Sequence, residues 1–214
     1  MRQQLITMLE LQEAMNFKVN ARWREQQFEW YRAIWVECAE LMDHYGWKWW
    51  KKQSPDVDQV ILELIDIWHF GLSICLLQGK NDTPSYEKIA DEIAREFDVL
   101  TGKEDLDFRN DLETFTETTL RTKSFCLPEF CRLIAAVDLS FEQLFSHYVG
   151  KNVLNMFRQD HGYQHGTYQK LWSGKEDNEH LIEAIAELDT NQVDFSHALY
   201  QSLKARYPTE GEVV

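Results

Sequence analysis

Positive charge is scarce in this chain. Its 22 lysines and arginines face 36 aspartates and glutamates, a formal net charge of −14. Nucleic acid needs a basic footprint, so this balance argues against a nucleic-acid polymer as partner. A small phosphate ligand stays admissible, because a few local cations can meet its charge. Helix breakers are also few, with nine glycines and four prolines, and alternating β-branched runs are rarer still. An all-α fold is therefore expected. The cysteines are only Cys38, Cys75, Cys126 and Cys131. They lack the paired spacing of a zinc site and read as reduced core residues of a cytoplasmic protein. No stretch near Met1 has the apolar run of a signal peptide. The most apolar segment, Val60–Leu77, carries Glu63, Asp66 and His69, which counts against a membrane span.

What the chain does have is apolar and aromatic bulk. Hydrophobic residues make up 44% of the 214, with eight tryptophans, enough for one sizeable domain covering 1–214. Apolar spacings of three and four predict helices over 3–19, 26–45, 57–78, 85–100, 106–121, 128–137, 140–160, 177–189 and 192–206. "QGKNDTPS" at 78–85 reads as a loop. "QDHGYQHGTYQKLWSGKEDN" at 159–178 is the longest stretch that helical periodicity leaves out, and loops of that kind are often functional.

The second predicted helix has an apolar stripe of Tyr31, Ile34, Trp35, Cys38, Leu41 and Met42. Glu37 and Glu40 sit beside it, flanked by Trp30, Ala33 and Val36. The third helix is apolar nearly all round but holds Glu63 and Asp66. Each acid pair is spaced i, i+3 and projects from one face of its helix. Buried carboxylates must be paired, protonated or bound to a cation. Two such pairs on consecutive helices point to a hard divalent ion, and oxygen-only ligands suit Mg²⁺ or Mn²⁺. Two other readings stay open. The acids can form solvated faces of a non-catalytic acidic helical protein. Alternatively, Asp66-x-x-His69 with Glu37 and Glu40 can form part of a di-iron carboxylate bundle, although such sites use two histidines.

Trp47, Lys48, Trp49, Trp50, Lys51 and Lys52 follow the second helix. Tryptophans of this kind stack on flat rings or cap helix ends, and the lysines meet phosphate. Farther on, Lys151, Asn155 and Arg158 fall on one helical face, extended by Tyr163 and Lys170 in the next loop. This is a local concentration of phosphate-type donors in an acidic protein.

"MLELQEAMN", "ECAELMDHYGWKWWK", "ELIDIWHF" and "GKNVLNMFRQDHGYQHGTYQKLWSGKEDN" together resemble the motifs of the dimeric all-α dUTPases, of the all-α NTP pyrophosphatase superfamily. They run from residue 8 to 178; roughly 79–145 carries no matching motif. The resemblance implies a multi-helix bundle acting as a homodimer, with Glu37, Glu40, Glu63 and Asp66 as Mg²⁺ ligands and Glu37 as the base for the attacking water. It places Gln12 and Asn16 on the nucleoside, Asn16 at the uracil, and Trp49, or its neighbour Trp47, against the base. Asn178 falls on the sugar side. Lys151, Asn155, Arg158, Tyr163 and Lys170 fall on the phosphate chain. The implied reaction is hydrolysis of dUTP to dUMP and diphosphate, by attack on the β-phosphorus, with dUDP as a further substrate. A relative acting on another nucleotide such as dCTP shares all but the base pocket.

Overall fold

The computed structural model describes residues 1–77, 85–99, 105–189 and 194–208. Among them the chain forms α1 (Arg2–Val19), α2 (Trp30–Tyr45), α3 (Val57–Leu77), α4 (Tyr86–Val99), α5 (Phe108–Thr122), α6 (Leu127–Ala136), α7 (Phe141–Asp160), α8 (Asp177–Glu187) and α9 (Phe195–Arg206). The one sheet among these residues is a hairpin of β1 (Leu171–Trp172) and β2 (Lys175–Glu176). The fold is all-α, as expected, with that hairpin as the addition. Residues 78–84 of the loop predicted at 78–85, the helix ends at 78 and 100, and the helix start at 192 lie outside the described residues.

The largest difference in a helix boundary has a backbone cause. The second helix begins at Trp30 rather than at 26. Residues Trp23–Glu25 form a single 3₁₀ turn, and Gln27 takes φ 51°, a left-handed conformation that an α-helix cannot contain. Elsewhere local chemistry sets the ends. Asp107 caps α5 by accepting the Asn110 amide at 3.0 Å, Pro128 lies in the first turn of α6, and Glu176 and Glu179 form a capping box on α8.

The chain packs as two compact units, Met1–Phe145 and Ser146–Val214, and the boundary falls within α7. In the first, α3 is the central element, with Leu62, Leu64, Ile65, Ile67, Trp68 and Leu72 all buried. Trp68 stacks on Phe130 with ring centroids 5.3 Å apart, and its indole N–H points to Met8 Sδ at 3.4 Å. Gly71 is required here, because a Cβ would come within 2.8 Å of the Phe125 ring. α3 is long and apolar enough to cross a membrane, but 72% of its most apolar window is buried inside the protein, as in the core helix of a soluble domain. In the second unit Tyr148, Leu154, Phe157, Trp172, Leu199 and Leu203 form the core. Phe157 packs against Trp172, Tyr200 and Tyr207 at 5.2–5.7 Å.

Candidate active site

α2 packs along α3, and this brings Glu37 to the Glu63–Asp66 pair. One carboxylate oxygen each from Glu37, Glu63 and Asp66 lies within 4.8 Å of the others. Glu63 is 7% exposed, with His44 Nε2 at 3.7 Å from its Oε1. Glu37 and Asp66 are half-buried. Burial pushes the Glu37 carboxyl up to about 9, assisted by the charge of Asp66, a hydrogen bond with Glu63, and the charges of Glu63 and Glu40. A divalent cation fits this donor set: three crowded oxygen ligands, one of them held protonated by burial and by its neighbours.

Glu40 stands apart from the three. It is exposed, and it influences the cluster through its charge on Glu37. Of the apolar stripe expected on α2, Ile34, Cys38 and Leu41 are buried while Trp35 is 49% exposed, and Val36, on the flank of the glutamates, is exposed too. His69 is not among the three clustered ligands; its Nδ1 meets Gln12 Oε1 at 2.8 Å, and the imidazole beside the carboxylates is that of His44.

Gln12 and Asn16, one helical turn apart on α1, are both buried. Gln12 Nε2 donates to Asn16 Oδ1 and to Ser73 Oγ, each at 3.0 Å, and Asn16 Nδ2 donates to Ser73 Oγ at 3.0 Å. The Ser73 hydroxyl donates in turn to the His69 carbonyl at 3.0 Å. Neither His69 nor Ser73 stood out in the sequence as a partner of these amides. They lie 57 to 61 residues away, beyond any local pattern.

The tryptophan–lysine loop is an exposed surface rather than a buried cap. Trp49 is 90% exposed, with its ring edge-on to Trp50 at 5.4 Å. Trp47 donates its indole N–H to Asp43 at 3.0 Å, and Lys48 Nζ reaches the same carboxylate at 3.2 Å.

In the second unit the predicted phosphate donors gather around a residue that the sequence reading did not single out. Asp177 is fully buried. It accepts from Arg158 Nε at 2.8 Å and from Nη2 at 2.9 Å, and from the Tyr168 hydroxyl at 2.9 Å. Burial pushes its carboxyl up, but the Arg158 hydrogen bond and charge, with Tyr168 and Lys151, outweigh that and hold it below its ordinary value. Arg158 also donates from Nη1 to Asn155 Oδ1 at 3.1 Å, and its guanidinium lies 5.8 Å from the Tyr163 ring centroid. Lys151 is 2% exposed and donates to Asn178 Oδ1 at 3.1 Å. Lys151, Asn155, Arg158, Tyr163 and Asn178 thus share one neighbourhood. The Lys170 ammonium is turned instead to Glu176 at 3.2 Å, where both side chains are exposed. The one hint of Asp177 in the sequence is its place beside Asn178 in "KEDN".

A family model described as dUTPase matches residues 4–163 of the chain. The match includes the carboxylate cluster, the Gln12–Asn16 pair, the tryptophan–lysine loop, and Lys151, Asn155, Arg158 and Tyr163; Lys170, Asp177 and Asn178 lie beyond it. The curated proteins give no match to this chain.

Proposed function

Since the chain belongs to the dUTPase family, we propose that it hydrolyses dUTP to dUMP and diphosphate in a Mg²⁺-dependent reaction, with Mn²⁺ as a substitute and dUDP as a second substrate. The observation that carries the metal dependence is the approach of Glu37, Glu63 and Asp66 oxygens to within 4.8 Å. These three hold the ion, with Glu40 contributing from the exposed side. When bound, Mg²⁺ supplies positive charge that favours ionised carboxylates and offsets charge on the triphosphate oxygens.

The remaining roles belong to side chains. Glu37, ionised, orients the attacking water and takes its proton as the oxygen bonds to the β-phosphorus; the bond from that phosphorus to the α–β bridging oxygen breaks, and dUMP leaves with that oxygen. Arg158 donates to the phosphate chain from a guanidinium whose orientation Asp177 fixes, and Lys151, Asn155, Tyr163 and Lys170 complete that set. Asn16 and Gln12 read the uracil, Trp49 covers its face, and Asn178 lies at the sugar. The whole chain acts as one functional domain, in a cytoplasmic homodimer, without a membrane or nucleic-acid partner.

The test is diphosphate release from dUTP, dCTP, dTTP and UTP, with and without Mg²⁺. The proposal expects Mg²⁺-dependent release with dUTP strongly preferred. Equal or greater release from dCTP would move the specificity to that nucleotide, and no release from any of them would refute the hydrolase reading.

A further inference from the structure

We propose that Ser73 is the positioning residue for base selection, fixing which way the Asn16 and Gln12 amides face. The inference rests on the reading of Asn16 as the uracil contact. Uracil and cytosine present nearly opposite patterns at the edge that separates them. Uracil offers a carbonyl acceptor at position 4 and an N–H donor at position 3; cytosine offers an amino donor and a ring-nitrogen acceptor. An asparagine amide carries one acceptor and one donor group of similar shape. Turned one way it suits uracil, and turned the other way it suits cytosine. Discrimination therefore depends on what prevents the flip.

In this structure the restraint begins at the backbone of α3. The Ser73 hydroxyl has one proton and two acceptors in reach, the His69 carbonyl at 3.0 Å and Asn16 Oδ1 at 3.4 Å; the shorter contact, an ordinary i−4 bond within a helix, takes it. Ser73 Oγ is then an acceptor toward the two amides, so both must show it an NH₂ group, as they do at 3.0 Å each. The other end of the Gln12 amide, Oε1, meets the His69 ring at Nδ1, 2.8 Å away, a contact that pairs when Nδ1 carries the ring proton. Gln12 Nε2 in turn donates to Asn16 Oδ1 at 3.0 Å, which holds that oxygen in place. The four side chains are all buried, and in that setting a flipped amide would face donor with donor or acceptor with acceptor. The Asn16 amide still has capacity for one further donated and one further accepted bond, the pair that uracil requires. The Ser73 hydroxyl thus sets the direction of both amides.

The experiment measures kcat/KM for dUTP and for dCTP with wild type, Ser73→Ala, Ser73→Thr and Asn16→Ala. The ratio of the two values does not depend on the fraction of folded enzyme, because the same molecules turn over both substrates. Ser73→Ala should lower the dUTP:dCTP ratio about tenfold, the effect of losing one buried hydrogen bond, while Ser73→Thr, which keeps the hydroxyl, should preserve it. An unchanged ratio in Ser73→Ala, alongside a reduced one in Asn16→Ala, would overturn the role of Ser73 and leave the base-site reading standing. Loss of the ratio in both Ser73 variants would mean that shape rather than the hydroxyl matters, and would overturn it too. An unchanged ratio in Asn16→Ala would place uracil recognition elsewhere and remove the reading and the inference together.

Discussion

Two carboxylates in this protein are drawn from water and move in opposite directions. Glu37 is pushed up to about 9, by burial and then by the acids around it. Asp177, more deeply buried, is held below its ordinary value because Arg158, Tyr168 and Lys151 face it. Burial alone therefore does not decide whether an acid ionises; its partners do. Asp177 belongs to a site whose charges are matched within the chain. The Glu37 cluster carries an excess of negative charge that a cation from outside can relieve. One arrangement positions an arginine, and the other is the one proposed to bind the cation.

Replacing a cluster acid should have the largest effect. Glu63→Gln keeps the shape and removes one ligand charge, so turnover should fall by about a thousandfold or more while the far-ultraviolet helical signal is retained. Near-normal turnover would exclude Glu63 as a ligand. In the second region the effect should appear in stability. Asp177→Ala leaves the Arg158 guanidinium buried without its carboxylate, a loss of about 3 kcal/mol by urea unfolding. Arg158→Ala added to that variant should cost little more, because the pair acts as a unit. Additive losses would show that the two residues are not coupled.

A subtler effect separates the two acids by pH. Glu37 has a folded-state value raised from 4.5 to about 9, so the folded protein holds a proton that the unfolded chain releases. Its contribution to the stability of the cation-free protein is present below 4.5 and lost as pH rises toward about 9. Asp177 has the opposite sign. Its folded value lies below the ordinary 3.8, so its contribution is present above that value and lost as pH falls through the folded one. Urea midpoints across pH should accordingly show Glu63→Gln weakening the alkaline decline, and Asp177→Ala weakening the acid one.

How far the sequence revealed these sites follows from how local they are. The approach of Glu37, Glu63 and Asp66 was legible because E-x-x-D places two acids on one helical face and consecutive helices had a simple way to meet. The helices themselves were legible from apolar spacing and the rarity of glycine and proline. The exposure of Glu40 and Trp35 was not, because a period identifies a stripe but not which neighbour covers it. Asp177 and Ser73 were hidden for another reason. Asp177 meets Arg158 across 19 residues that have no repeating pattern, and Ser73 meets Asn16 across 57. A serine in an apolar helix carries no sign of its partners.

The central claim is that Glu37, Glu63 and Asp66 form a divalent-cation site. The most direct test is Mn²⁺ titration of the nucleotide-free protein, followed by calorimetry in buffers of different ionisation enthalpy so that proton release is counted. The account predicts saturable binding near neutral pH with release of a proton, chiefly from Glu37, and marked weakening in Glu63→Gln. Failure to bind Mn²⁺, or binding unaltered by Glu63→Gln, would contradict it.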